Sequence, residues 1–259
     1  MIPRIIHYCW FGHGLMPQTQ ADYIKHWMEL HPTWQIMRWD EKTFPLSFCE
    51  YTNLAAKKRK WAFVSDVARL YVLQKYGGVY LDTDVELFSP LDSFLDNSLF
   101  SGVEIYPTEF EKYGKPLLDA EGAPLNHSDG IPYCGFLSAI LGSTPDHLLI
   151  NALLNHYQGL SFQGMVELFQ GEVIDGLLAS HAVEHGFRYV DCLQRLPLMT
   201  IYPSSTFAYP GVPLTSQAVA YHHTVQSWTP KTATQKAFMW LDKAHLLKPY
   251  RTLKQRIKR

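Results

Sequence analysis

No stretch of the 259 residues approaches the roughly 18 consecutive apolar residues that a membrane span requires. The N-terminus, MIPRIIHYCWFGHG, enters a strand-like run with no apolar h-region and cleavage site, which points to a cytoplasmic protein. Cysteine is sparse: Cys9, Cys49, Cys134 and Cys192 lie far apart and form no CxxC pair. Their mostly apolar neighbours suggest reduced, buried thiols and exclude a disulfide frame or a zinc ribbon. Internal repeats and low-complexity tracts are missing. So is a basic stripe with interleaved aromatics, which argues against nucleic acid as a partner.

What is present is apolar material: 47% of the residues are hydrophobic, enough to fill the core of a single α/β domain. The net charge of −1 is unevenly spread. Residues 243–259, KAHLLKPYRTLKQRIKR, hold 7 of the 23 Lys and Arg and no acid, leaving 16 basic against 24 acidic residues elsewhere, a net −8. With Leu246, Leu247, Leu253 and Ile257 among the bases, this tail reads either as a peripheral contact with an anionic membrane surface or as a solvated basic helix end or disordered terminus.

Along the chain, IPRIIHYCWFG (2–12) is rich in β-branched and aromatic residues and reads as a buried strand. Pro17 opens a helix running to about His31, and WQIMRWD (34–40) is a second strand. In WAFVSDVARLYVLQKY (61–76), Phe63, Val67 and Leu70 recur at helical spacing, and Gly77 stops the helix. Strand, helix, strand, helix, strand predicts an α/β fold with a mostly parallel sheet flanked by helices. Further on, residues 98–104 suggest a strand, 106–130 a long surface loop, 144–157 and 172–186 helices, 199–210 an extended run, 218–223 a late strand and 231–247 a terminal helix.

The chemistry concentrates at VYLDTD (79–84), where an apolar strand ends in two acids. Side chains alternate along a strand, so Tyr80, Asp82 and Asp84 share one face if the extended conformation persists. Mg²⁺ and Mn²⁺ are commonly held by one or two carboxylates plus phosphate oxygens, so a DxD here predicts a metal carrying a phosphorylated ligand. On the preceding helix, Asp66 and Arg69 are spaced i,i+3 within the apolar run AFVSDVARLYVL, where charges are costly unless partnered or used. A carboxylate and a guanidinium facing a ligand suit sugar hydroxyls and a diphosphate respectively. Phosphatases of the haloacid dehalogenase type also carry DxD at a strand end. They favour Thr or Val two residues after the second Asp and use the first strand, whereas here that position is Glu86 and the strand is about the third.

AFVSDVARLYVLQKYGGVYLDTDVE, with IPRIIHYCWFG and the late HHTVQSW, resembles glycosyltransferase family 32, the DxD-containing sugar transferases of capsule, lipopolysaccharide and Och1-like type, similar in core to clostridial glucosylating toxins. The resemblance implies a GT-A fold over the whole chain. Residues 1–105 would be the nucleotide-binding core, 106–230 the acceptor side and closing loop, and 231–259 a helical basic tail. It further implies a retaining hexosyl transfer from a nucleotide sugar, a UDP-sugar ahead of a GDP-sugar, to a glycan or lipid-linked acceptor, with Mn²⁺ or Mg²⁺ as cofactor. Asp84 would ligate the metal directly, and Asp82 would contact metal, ribose or sugar. Tyr80 would touch the nucleotide, Trp10 would stack on its base, and Asp66 and Arg69 would hold donor hydroxyls and the leaving diphosphate. By alternation only one of His222 and His223 can face the site, and the resemblance favours His222 as the third metal ligand. Ser227 and Trp228 resemble the Ser-Trp of a loop that closes over the donor.

Two family features are missing: an Asn before the apolar stretch around residues 133–136, and a Thr-Gly-Pro around 161–176. Both concern the acceptor side and the sugar preference. A nucleotide-sugar-binding module without turnover is the non-enzymatic alternative. The intact DxD, Asp66–Arg69 pair and His-Ser-Trp segment argue against it.

Overall fold

The computed structural model describes residues 1–126, 130–162 and 174–225. The α/β class expected from the sequence is what it shows. Strands β1 (Ile5–Cys9), β2 (Gln35–Trp39) and β3 (Gly78–Leu81) form one side of the main sheet, and β1 pairs in parallel with both β2 and β3. Between them run helices α1 (Gln18–Leu30), α2 (Glu50–Lys57) and α3 (Trp61–Tyr76). The α3 limits coincide with the sequence expectation. The short α2 has no counterpart in the sequence expectation.

The α3–β3 junction depends on two glycines. Gly77 sits at φ +62° and donates its N–H to the Leu73 carbonyl at 2.9 Å, closing the helix. Gly78 is at φ +100°, and a Cβ there would fall 2.7 Å from the Ile5 carbonyl oxygen. Only glycine lets β3 lie this close to β1. Beyond the junction, Val79 and Leu81 enter one apolar layer and Tyr80 the opposite one, so β3 is buried on both faces.

The expectation of a mostly parallel sheet needs correction. β4 (Val85–Leu87), β5 (Leu99–Ile105), a one-turn helix α4 (Pro107–Glu109), β6 (Cys134–Phe136) and β7 (Ile140–Ser143) follow. β7 is inserted between β3 and β5, antiparallel to both, and β6 is antiparallel to β5. Residues 134–143 therefore return along β5 as one strand interrupted at 137–139, where Leu137 N–H still donates to the Gly102 carbonyl at 2.8 Å. Helices α5 (Leu148–Gly159) and α6 (Ile174–Val183), then β8 (Gln194–Arg195), β9 (Thr200–Tyr202), β10 (Phe207–Ala208) and β11 (Ala220–His222), complete the described chain. β9 pairs in parallel with β5 and antiparallel with β8. The main-sheet path is β2-β1-β3-β7-β5-β9-β8, and a second sheet is ordered β10-β11-β4.

The thiols are free. Cys9 and Cys134 are buried as expected, but Cys49 is half-buried and Cys192 exposed, because Cys192 lies in the loop before β8. The proposed terminal helix and the basic tail lie outside the described residues.

Candidate active site

The DxD motif is not a continuation of the strand. β3 stops at Leu81, and Asp82–Thr83–Asp84 form a turn closed by the Val85 N–H donating to the Asp82 carbonyl at 3.0 Å. Beyond it β4 departs into the second sheet. The turn, not strand alternation, therefore brings the carboxylates together. The structure shows the two acids on one side, as expected, for a reason the spacing alone did not give.

β11 supplies the third member. It lies antiparallel to β4 with His222 opposite Val85, and the His223 N–H donates to the Asp84 carbonyl at 3.0 Å. This register puts His222 Nε2 3.3 Å from Asp84 Oδ1 and 4.0 Å from Asp82 Oδ2. His223 turns the other way: its Nε2 lies 2.9 Å from Glu86 Oε2 and 3.0 Å from Tyr23 Oη, and its ring stacks on Tyr23 at 5.2 Å between centroids. One ligand atom from each of Asp82, Asp84 and His222 lies within 4.8 Å of the others. Burial works against charging His222. The hydrogen bond and charge of Asp84, with Asp82 and Glu104 adding to it, outweigh that and hold its pKa above the ordinary value. Two carboxylates and an imidazole converging from a turn and a neighbouring strand are a donor set that fits Mn²⁺ or Mg²⁺.

Helix α3 meets this cluster from the core side. Arg69 is 5% exposed and has several partners: Nη2 lies 3.0 Å from Asp66 Oδ1 and 3.6 Å from Asp82 Oδ1, and Nη1 donates to Ser138 Oγ at 2.8 Å. The guanidinium also sits 4.6 Å above the Tyr80 ring, whose hydroxyl donates to Asp82 Oδ1 at 2.8 Å. The expected i,i+3 pair is thus buried and is tied to the DxD. Burial pushes the Asp66 carboxyl up to about 7 against the pull of Arg69. Cys9, at the end of β1, lies within the field of Arg69 and Asp82, but burial pushes its thiol up to about 12, which leaves it inert at neutral pH.

Trp10 ends β1 half-buried, with its indole N–H donating to the Gly14 carbonyl at 2.8 Å. Ser227 and Trp228 lie outside the described residues. The sequence reading missed Ser138, Glu104 and Asp175. Ser138 sits in the break between β6 and β7, where its Oγ receives Arg69 and its N–H donates to Asp175 Oδ1 at 2.9 Å. The same break anchors the DxD, since Asp82 N–H donates to the Ala139 carbonyl at 2.9 Å. Glu104 could have been found, because it is an acid near the end of a strand, like the DxD. Asp175 also carried a signal, as a lone acid in the apolar run VIDGLLA; nothing in the sequence marks Ser138.

Comparisons with known proteins find similarity over the part of the chain that carries the DxD. Residues 17–101, which contain α1 through β5 Ser101 and the DxD, match the family model for the glycosyltransferase sugar-binding region containing the DXD motif. Inositol phosphoceramide mannosyltransferase 1 of Schizosaccharomyces pombe is 29% identical over 106 residues, 38% of this chain and 33% of that protein. Subversion of eukaryotic traffic protein A of Legionella pneumophila is 27% identical over 116 residues, 34% of this chain and 18% of that protein. The chain thus spans no more than about a third of either relative. A solved galactosyltransferase, LgtC, bound to donor and acceptor sugar analogues, aligns over 93% of this chain and 95% of its own at 13% identity and a TM-score of 0.48. Over residues 17–101, about a third of the chain, the match is to this DXD-containing glycosyltransferase region.

Among the described residues, no helix is long and apolar enough to cross a membrane.

Proposed function

We propose that the protein is a metal-dependent, retaining glycosyltransferase of GT-A type. It moves a hexose from a nucleotide sugar, a UDP-sugar ahead of a GDP-sugar, to a glycan or lipid-linked acceptor in surface polysaccharide synthesis. The observation that carries this reading is the convergence of Asp82, Asp84 and His222 beside a buried arginine. Asp84 and His222 would hold the cation with Asp82 beside them. Bound there, the cation would supply positive charge where the leaving diphosphate develops negative charge.

The chain's own residues account for the rest. Arg69 is fixed by Asp66, Asp82 and Ser138, so it can receive a phosphate oxygen without first being ordered, which is the condition for electrostatic catalysis. Asp66 would accept donor-sugar hydroxyls. Tyr80 holds Asp82 in its rotamer and lies against the guanidinium. Trp10 would stack on the base, and Ser227 and Trp228 would close over the donor and exclude water. In the reaction the bond from the anomeric carbon to the phosphate oxygen breaks. The acceptor oxygen bonds to that carbon from the same face, and the acceptor proton passes to the departing phosphate oxygen. The inert Cys9 thiol removes one alternative, a cysteine nucleophile.

The reading places the protein on the cytoplasmic side, with the seven bases of residues 243–259 able to meet anionic lipid near a lipid-linked acceptor. The mannosyltransferase relative puts GDP-mannose beside the UDP-hexoses in the donor screen. Hydrolysis of UDP- and GDP-sugars, with and without Mn²⁺, is the test. Metal-dependent turnover of one donor is expected, and Asp84→Ala should lower it by at least about a thousandfold. Binding of a nucleotide sugar without any turnover would favour the non-catalytic module. A β-linked product from an α-linked donor would sink the retaining chemistry.

A further inference from the structure

Ser138 also reaches Asp175 through its N–H, and there lies a cleft of about 240 Å³ lined by Glu104, Tyr106, Tyr133, Cys134, Gly135, Asp175 and Gly176. The fold builds it from a requirement for glycine. Gly135 faces Glu104 across the β5–β6 pair, and the first turn of α6 presses so closely on Gly135 that a Cβ there would meet the Asp175 carbonyl oxygen at 2.6 Å. Opposed residues of an antiparallel pair point to the same face. Glu104 therefore projects toward the α6 N-terminus with no neighbouring side chain to fill the space.

The lining has a definite chemistry. It includes two acids, Glu104, which accepts from the Tyr106 hydroxyl at 3.2 Å, and Asp175, whose Oδ1 accepts from the Ser138 N–H. Tyr106 is 39% exposed, so its ring is open to a ligand. Tyr133 is half-buried and held at φ +65°, a backbone conformation that costs a bulky residue energy and clusters at ligand sites. Its ring lies 5.7 Å from that of Tyr113. None of the lining residues is basic.

Aromatic faces cover the C–H faces of pyranose rings, and paired carboxyls bind their hydroxyls. A phosphate or carboxylate ligand would find no cation here to offset two acids. Through Ser138 the cleft is one residue removed from Arg69, and its acids lie within the field of Asp82 and His222. We infer that this cleft is the acceptor subsite, that it takes a neutral glycosyl residue and not a phosphate, and that Glu104 and Tyr133 determine its specificity. The inference rests on the glycosyltransferase reading only for the word acceptor. Recognition of a neutral sugar stands on the cleft itself.

The test is saturation-transfer NMR on the full chain, with a panel of neutral methyl hexopyranosides and the matching hexose 6-phosphates as probes. At least one neutral glycoside should receive saturation, and the phosphates should not. Glu104→Gln, which keeps the side-chain shape, should weaken that binding by about tenfold. Tyr133→Asn, which suits the positive φ but removes the ring, should do the same, with both variants retaining the wild-type melting transition to within a few degrees. If Tyr133→Asn fails to fold, Tyr106→Ala at the exposed rim serves in its place. Preference for the phosphates, no binding of any neutral glycoside, or binding unmoved in both folded variants would overturn the inference. Donor hydrolysis by the wild type is read separately: its absence alongside sugar binding would remove the glycosyltransferase reading and leave the saccharide site.

Discussion

The two sides of Ser138 are built in opposite ways. On one side, Asp66, Arg69, Tyr80, Asp82 and Asp84 belong to a single helix–strand–turn unit within residues 61–84, and the carboxylates are interleaved with Arg69 and His222. On the other, Glu104, Tyr133 and Asp175 come from three separate elements, and no cation lines the cleft. The first side is arranged for a ligand with concentrated negative charge, the second for a ligand with hydroxyls and no charge. Donor and acceptor of a glycosyl transfer differ in just this respect. The contrast also implies that the charged side tolerates change far less, because each of its members is the counter-ion of another.

The largest effect should come from Arg69→Ala. Breaking a buried ion network by removing one member leaves the others charged and unpaired, a cost of about 3–5 kcal/mol. Asp82 would lose its guanidinium partner, Asp66, already pushed up to about 7, would have to take up a proton, and Ser138 would lose its donor. Urea denaturation should show this loss together with abolished donor turnover. Arg69→Lys should restore part of the stability but little activity, since an ammonium cannot span Asp66, Asp82 and Ser138 at once. A change of less than about 1 kcal/mol in Arg69→Ala would mean that the two sides are not held differently after all.

A smaller effect separates two adjacent histidines. His222→Ala removes one of the three converging donors and should raise the Mn²⁺ concentration for half-maximal turnover, or for half-saturation in a metal-binding titration, by about tenfold or more. His223→Ala breaks contacts to Tyr23 and Glu86 that join α1 to the β4–β11 pair. It should cost about 1 kcal/mol of stability and shift the metal titration much less. The reverse ranking would show that the order of the two side chains around the DxD turn is misread.

The charged side was also the readable one, for a physical reason. α3, its glycine stop and the DxD are contiguous, so their chemistry follows from local spacing: i,i+3 on a helix, a positive-φ residue after it, acids at the end of an apolar strand. His222 needed the strand register, and sequence alternation could say only that one of the two histidines faces inward. The cleft could not be read in this way. β7 is four residues long with Gly142 and Ser143 in it, too short and too mixed to declare itself the partner of both β3 and β5. Without β7 the break at 137–139 has no place, and Ser138 is one serine among many. Glu104 and Asp175 meet only because residue 135 lacks a side chain, a long-range fact that no local pattern encodes. The mostly parallel sheet was misjudged for the same reason: the parallel half was legible through its helices, whereas among the described residues no α-helix longer than the one-turn α4 lies between β5 and β7.

The smallest expected effect tests the cleft by pH. Burial, with the charge of Asp175 adding to it, pushes the Glu104 carboxyl from the ordinary 4.5 up to about 8, against the opposing influence of His222 and Tyr106. The unfolded chain releases this proton near the ordinary value, while the folded chain keeps it until about 8, so between those limits the native state binds more protons. Stability from this group is therefore fully present below about pH 4.5 and is lost as pH rises through about 8. Glu104→Gln cannot titrate. Groups beyond the field of Glu104 contribute equally to both proteins, so the difference in melting temperature, variant minus wild type, should be flat at low pH and climb from about pH 5 to 8. One proton sets a ceiling of about 1.4 kcal/mol per pH unit, and hydration through the open cleft should keep the slope to a fraction of it. A difference that stays level across the window would place Glu104 in contact with solvent, ionised like a surface acid. The cleft would then carry full negative charge, and its contrast with the balanced DxD side would be sharper still.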